Sequence, residues 1–384
     1  MEPAVAVRRY LDNAATSWPK PPEVFAAWNH AACEVGATAG RGLYREAVAA
    51  DRIRDRARAA AGRLLGGVDP ARVALSNGCT LALNTAIQGL VRPGDHVIAT
   101  AADHNATLRP LHRLAAGGAI EWTVVPCDAR GQVDPVAVAA AWRPATRLVV
   151  CSQVSNVTGV AQDVAAISTL AHERGGLLLL DAAQSLGVVP GDVAAWGCDV
   201  LAAPAHKWLL GVGTTALLWA RPELEFEPLV AGGTGTVSES LGMPEAFVPR
   251  HESGSPDVPA LAALAAAADW HEARGIAATA AGCRALADDC AGRLAEIGGV
   301  RVLGGPRAAA IVSFTVEGYD PAEVAVILEA AAGVQVRSGF HCAALIHEHL
   351  GTSSGGTVRA AFGPFNSAAD VEALVQTVAT IAGG

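Results

Sequence analysis

Short apolar runs rich in Val, Leu and Ile alternate along the chain with stretches of helical periodicity. "VAL" at 73–75 passes through "SNGCT" into the helical pattern "TLALNTAIQGLV", which "RPGD" closes. "HVIATAADHN" reads as a strand entering a polar loop, and "RLVVCSQVSNVTGV" repeats that form ahead of the helix "DVAAISTLAHERG". "LLLLDAAQS" is an apolar run ending in an acid, and "VLAAP" leads into His206 and Lys207. Strand-like runs spaced by helices predict an α/β domain with a mostly parallel sheet covered on both faces. In such sheets functional groups gather beyond the carboxyl ends of the strands. Asp103, His104, Asn156, Asp181, His206 and Lys207 all fall at predicted strand ends.

Gly and Pro punctuation in "RHESGSPDVPALAALAAAADWHEARG" places a boundary near Ser255. Beyond it, helix and strand patterns alternate through "TAAGCRALADDCAGRLAEI", "AAIVSFTVEG", "DPAEVAVILEAA", "VQVRSGF" and "SAADVEALVQTVATIAG", a small α+β domain. The predicted division is an N-terminal segment 1–15 packing with the small domain, a large domain 16–254 and a small C-terminal domain 255–384. A chain of 384 residues exceeds the usual single core, in keeping with that division.

Charge narrows the partners. Lys and Arg number 28 against 37 Asp and Glu, a net charge of −9, with no basic run of the kind that binds nucleic acid or a membrane surface. The first residues lack the apolar core of a signal peptide, and no apolar run reaches bilayer length. Eight cysteines without a C-x-x-C pair fit free thiols in a reducing compartment, so the expectation is a cytoplasmic protein with a small-molecule partner.

Lys207 sits in "LAAPAHKWLLGVGTTALLWA", between apolar runs where a charged ammonium is costly and burial favours the neutral, nucleophilic amine. In "SNGCTLALN" the N–H groups of Cys79 and Thr80, with the Thr80 hydroxyl, open a helix whose N-terminus attracts a phosphate, although the turn alone reads equally as a capped helix. Asp181 ends an apolar run where an unpaired carboxylate is expensive; a protonated pyridine nitrogen would satisfy it, and so would a helix cap. Singly, Lys207 also reads as a surface lysine with a buried stem.

The ordered set "YLDNAATSWPKP", "SNGCTLALN", "DHNATLRPL", "SNVTG", "DAAQS", "HKWLLGVGT", "GGTGTVSES", "ESGSPDVPAL", "RSGFHCAALIH" and "GTVRAAFGPFN" resembles the cysteine desulfurases and selenocysteine lyases of aminotransferase class V, in the group whose cysteine segment reads R-[ST]-G-x-H-C. The resemblance spans nearly the whole chain. It implies the fold-type-I architecture, with a seven-stranded, mostly parallel large domain and a small C-terminal domain, acting as a homodimer with pyridoxal 5'-phosphate. By it, Lys207 would bind the cofactor covalently, Asp181 would pair with the pyridine nitrogen, Gln184 would lie by the phenolic oxygen and His104 would stack on the ring. Asn156 would lie beside the ring and the substrate carboxylate. Cys79, Thr80 and His206 would hold the phosphate, with Thr234 reaching it from a partner subunit. Arg359 would clamp the substrate carboxylate, a role suited to its planar fork, and Arg41 would approach from the N-terminal region. Cys342 would take sulfur from L-cysteine as a persulfide, leaving L-alanine, and pass it to an acceptor protein or a small thiol.

Within the same resemblance, a C–S lyase forming pyruvate, a selenocysteine lyase, and a catalytically weak scaffold for sulfur assembly remain alternatives. Pro204 and Ala205 stand where the family usually carries Ser or Thr and Gly, so the phosphate would rest on Thr80, His206 and the partner's contribution. In "HCAALIHEHL", His341, Cys342, His347 and His349 offer a competing zinc reading whose spacing matches no common structural site, so no metal is expected. Cys283 and Cys290, seven apart on one predicted helix, read as neighbours on a buried stripe. The compact "RSGFHCAALIH" predicts a short, ordered cysteine loop.

Overall fold

The computed structural model describes residues 7–190 and 192–383; positions 1–6, the start of the predicted N-terminal segment, lie outside the described residues. In chain order the strands are β1 (Arg9–Tyr10), β2 (Val73–Ser76), β3 (His96–Thr100), β4 (Glu121–Val125), β5 (Thr146–Ser152), β6 (Leu177–Asp181), β7 (Val200–Pro204), β8 (Ala216–Ala220), β9 (Val300–Leu303), β10 (Ile311–Val316), β11 (Val334–Gln335), β12 (Arg337–Gly339) and β13 (Thr357–Ala361).

β2 to β8 form one seven-stranded sheet in the order β2-β8-β7-β6-β5-β3-β4. Its interior pairs are parallel, and only β8 runs against its neighbours. β2 therefore points the same way as β3 to β7, and its carboxyl end reaches the same sheet edge as theirs. The apolar runs are continuous because both faces are buried. Leu178, Leu180, Leu201 and Ala203 pack on one side, and Leu177, Leu179, Val200 and Ala202 on the other. That period-two division between two cores makes "LLLLD" a central strand.

β12-β13-β10-β9 make a four-stranded antiparallel sheet. Helices Ile276–Ala295, Pro321–Ala332 and Ala368–Gly383 cover it, with Cys283 and Cys290 both buried in its core. β1 pairs with β11, and Leu11 and Ala14 join this smaller core, so the described part of the N-terminal segment is built into it. Helix Val258–Arg274 differs from expectation. It lies along helices Pro22–His30 and Arg45–Leu64 and sends Leu261, Leu264, Ala265 and Ala268 into the core of the large sheet. Proline and glycine at 254–259 punctuate a loop before that helix, and the change of core comes at Gly275 rather than Ser255. No helix among the described residues is long and apolar enough to cross a membrane.

The outer edge of β2 is closed by Glu252, whose carboxylate accepts from Leu75 N–H and from the Arg58 guanidinium, itself bonded to Val73 O at 2.7 Å. Replacing Glu252 with alanine leaves that largely buried guanidinium and a strand-edge N–H unpaired. Glu252→Ala is expected to cost about 3 kcal/mol of unfolding free energy in denaturant titrations.

Five histidines are held neutral by burial. The imidazoles of His104, His206, His251 and His271 are lowered to about 4 and that of His341 to about 2. Each contributes full stability above its unfolded value of about 6.5, which is lost as pH falls toward the folded value, because the unfolded chain then binds the extra proton. Asp103, raised to about 7 by burial, acts in the opposite sense but is outnumbered. The melting temperature is accordingly expected to fall between pH 7 and pH 5, as scanning calorimetry across that range would record.

Candidate active site

At the carboxyl edge of the large sheet a cavity of about 370 Å³ is lined by Cys79, Thr80, His104, Asn156, Asp181, Gln184, His206 and Lys207. The topology explains the gathering. Asp181 ends β6, Pro204 ends β7 three residues before Lys207, and the β2 edge strand leads through Gly78 into helix Cys79–Leu90. Gly78 has φ 113°, a backbone conformation that glycine adopts without a Cβ penalty. No side chain caps this helix, so its first N–H groups face the cavity unclaimed, as an anion site requires.

Lys207 and Asp181 are pulled two ways. Burial lowers the lysine and raises the aspartate, while the attraction between them opposes both shifts. Among the described residues no carboxylate forms an ion pair with Lys207, which leaves the amine open to the cavity. Asp181 accepts from Ala183 N–H at 2.9 Å, and Ser152 Oγ lies 3.4 Å from its other oxygen.

The neutral groups are oriented as well as placed. His104 caps its own helix, Asn105–Ala116, with Nδ1 accepting from Ala106 N–H at 3.0 Å, so the neutral ring carries its proton on Nε2. Gln184 Oε1 accepts from the indole N–H of Trp208 at 2.7 Å, and Nε2 donates to Ala14 O at 3.0 Å. An indole can only donate, which fixes the amide orientation and leaves Gln184 one further N–H. The His206 carbonyl accepts from Ser17 N–H, Thr16 Oγ1 and Lys20 Nζ, which pins the turn that carries Lys207. Burial brings Lys20 down to about 8.

The small domain supplies the remaining groups. Arg359, on β13 and fully buried, donates to Asn156 O at 3.0 Å and to Asp12 Oδ1 at 2.8 Å, while its Nε–H has no partner. Asn156 Nδ2 donates to His341 O at 2.7 Å. His341 and Cys342 occupy residues 340–345, between β12 and helix Ile346–Leu350, both in the left-handed region at φ 52° and 58°. The cysteine loop is thus as short as its sequence implies. Arg337 donates to Cys342 Sγ at 3.3 Å, and Asn105 N–H donates to Cys342 O at 2.8 Å. Cys342 is exposed on a recess that adjoins the cavity through Thr80 and His104.

Arg41 and Thr234 are not brought to Lys207 within one chain. They line a separate cavity of about 270 Å³, which touches the first through Asn77. The zinc reading finds no support in the packing: His341 faces Thr357, His347 is held between Thr352 and Phe340 O, and no metal-binding group of three such side chains gathers among the described residues.

Four contributors escaped the sequence reading. Ser152 touches Asp181, Asp12 pairs with Arg359, Trp208 orients Gln184, and Thr214 lines the cavity together with Pro204. Asp12 lies inside the quoted motif "YLDNAATSWPKP", and Trp208 and Thr214 lie inside "HKWLLGVGT"; the partners of Asp12 and Trp208 are distant in sequence. The arrangement fits an aromatic aldehyde bearing a phosphate, with the phosphate at the uncapped helix, the aldehyde by Lys207 and a basic ring nitrogen by Asp181.

Comparison with known proteins identifies the family. A "Probable cysteine desulfurase" of Methanothermobacter thermautotrophicus is 35% identical over 383 residues, covering 97% of this chain and 94% of its own. One of Pseudomonas aeruginosa is 36% identical over 377 residues, covering 94% and 91%. The apo structure of a cysteine desulfurase from Thermococcus onnurineus superposes with a TM-score of 0.91 at 28% identity over 98% of this chain and 95% of that one. A cysteine desulfurase of Escherichia coli gives 0.85 at 29% identity over 96% and 93%. With the family model "Aminotransferase class-V" matching residues 9–374, the chain belongs to the class-V aminotransferases.

Proposed function

We propose that this protein is a pyridoxal-phosphate-dependent cysteine desulfurase that converts L-cysteine to L-alanine and takes the sulfur onto Cys342 as a persulfide. The observation that carries the reading is the position of Cys342, bonded by Arg337 and set across His104 from the cavity of Lys207 and Asp181. Pyridoxal phosphate, when bound, supplies an electron sink for the substrate's α-carbon. The first N–H groups of helix Cys79–Leu90, with Thr80, His206 and Thr214, would hold its phosphate. Asp181 would hold the protonated ring nitrogen, and Gln184 would direct its spare N–H to the phenolic oxygen.

Lys207, held toward the neutral amine by burial, accepts the α-proton at Nζ. Arg359 offers its unpartnered Nε–H to the substrate carboxylate, beside Asn156. His104, kept neutral by burial, would pack against the ring. Cys342 Sγ attacks the substrate sulfur, forming the S–S bond as the carbon–sulfur bond breaks; that electron pair stays with the carbon, which is protonated to the methyl group of alanine, and Arg337 donates to Sγ. A homodimer would bring Thr234 and Arg41 of one subunit to the other's site, giving the separate cavity a purpose. A reducing, cytoplasmic setting suits eight free cysteines.

The deciding experiment is product analysis of the cofactor-loaded protein with L-cysteine and a reductant. Alanine and sulfide are expected in equal amounts, with sulfide release falling at least about 100-fold in Cys342→Ala. Pyruvate and ammonia that persist in Cys342→Ala would replace the reading with an eliminating lyase. Lys207→Ala is expected to lose both turnover and the visible absorbance of the lysine-linked cofactor; a variant that keeps that absorbance would place the covalent link elsewhere.

A further inference from the structure

The recess outside Cys342 has a volume of about 340 Å³, within the range of small-ligand sites. Its wall carries Thr80, His104, Arg109, Arg113 and Cys342, and no carboxylate lines it. Arg109 is exposed and has neither a hydrogen bond nor an ion pair among the described residues. Arg113 donates to Gln88 Oε1 at 2.7 Å and likewise meets no carboxylate there. The two lie four residues apart on helix Asn105–Ala116, where like charges share a face and repel. The N-terminal residue of that helix holds the Cys342 carbonyl, so one element sets the backbone positions of both arginines relative to the cysteine loop. Arg337 adds a third positive charge at Sγ itself. In a chain with a net charge of −9, three arginines around one thiol mark an anion-attracting pocket.

We propose that this recess is the acceptor subsite for a small thiol bearing carboxylate groups, which Arg109 and Arg113 bind while its sulfur faces Cys342. The inference rests on the persulfide function proposed above. The acceptor thiolate attacks the outer sulfur of the Cys342 persulfide, forming one S–S bond as the bond from Sγ to that sulfur breaks. The electron pair returns to Sγ as thiolate beside Arg337, and the acceptor leaves as its own persulfide. No outside oxidant or reductant is required. Tethered to a short loop, Cys342 has little reach, so the acceptor enters the recess.

Two readouts on the cofactor-loaded protein test this. The first compares alkylation of Cys342 by iodoacetate and by iodoacetamide, followed by peptide mass spectrometry, in the wild type and in Arg109→Gln/Arg113→Gln. The double variant is expected to lose about tenfold in iodoacetate rate, with the iodoacetamide rate within about twofold, and added salt should erode the wild-type preference. Arg109→Lys/Arg113→Lys, which keeps both charges, should retain most of it. The second discharges the Cys342 persulfide with mercaptosuccinate or 2-mercaptoethanol at equal thiolate concentration. Saturable, preferential discharge by mercaptosuccinate that the Gln double variant loses is the expected result.

Equal discharge by both thiols, or an alkylation ratio unchanged in the Gln variant, would overturn the subsite and leave the recess to the cysteine of an acceptor protein. If the alkylation preference holds but Cys342 never gains a sulfur atom from L-cysteine, the acceptor role falls together with the function on which it rests. A persulfide that forms and shows no preference for the anionic thiol removes only the subsite.

Discussion

Withdrawing Lys207 and Asp181 from water drives both toward neutrality, while their mutual attraction drives both toward charge. Desolvation is the larger effect on each. Burial favours the neutral, nucleophilic amine, and neither group finds another counterion among the described residues. The parallel strands bring the two together: β6 and β7 are adjacent, and their carboxyl ends share an edge between the two cores. The uncapped helix and the oriented Gln184 amide then face a space in which each polar direction is already assigned.

The small domain is coupled to that space by apolar packing and by a set of polar bonds. Arg359 reaches Asn156 and Asp12, Asn156 reaches His341, and Asn105 reaches Cys342. Two of these join the large-domain sheet edge to the cysteine loop directly, and the arginine joins both to the N-terminal segment. Buried charge-assisted bonds of this kind specify position because leaving any partner unmatched is costly. The loop that carries Cys342 is thereby tied to Asn156, which lines the cavity of Lys207 and Asp181.

Much of this was legible from residue order alone. Apolar runs ending in Asp181 and in His206–Lys207 mark strand ends, and strand ends in a doubly covered sheet share an edge, so Asp103, His104, Asn156, Asp181, His206 and Lys207 could be named together. What stayed hidden depended on pairs distant in sequence. Trp208 orients Gln184 across the site, Asp12 meets Arg359 from the far end of the chain, and nothing local announces either contact. Helix Val258–Arg274 was misassigned for a related reason: its alanine-rich surface is compatible with packing on either core, and only the neighbouring helices decide between them. Arg41 and Thr234 carry motif signals without a local destination in the single chain.

The left-handed pair His341 and Cys342 bears on the timing of sulfur delivery. Two consecutive residues with side chains in that region cost roughly 1–2 kcal/mol each, a cost offset by the bonds from Asn156, Asn105 and Arg337. A stem anchored in this way offers its sulfur little motion beyond rotation about the side-chain bonds. Delivery is then paced by the arrival and alignment of the acceptor rather than by opening of a loop, and solvent viscosity becomes a more telling variable than loop length.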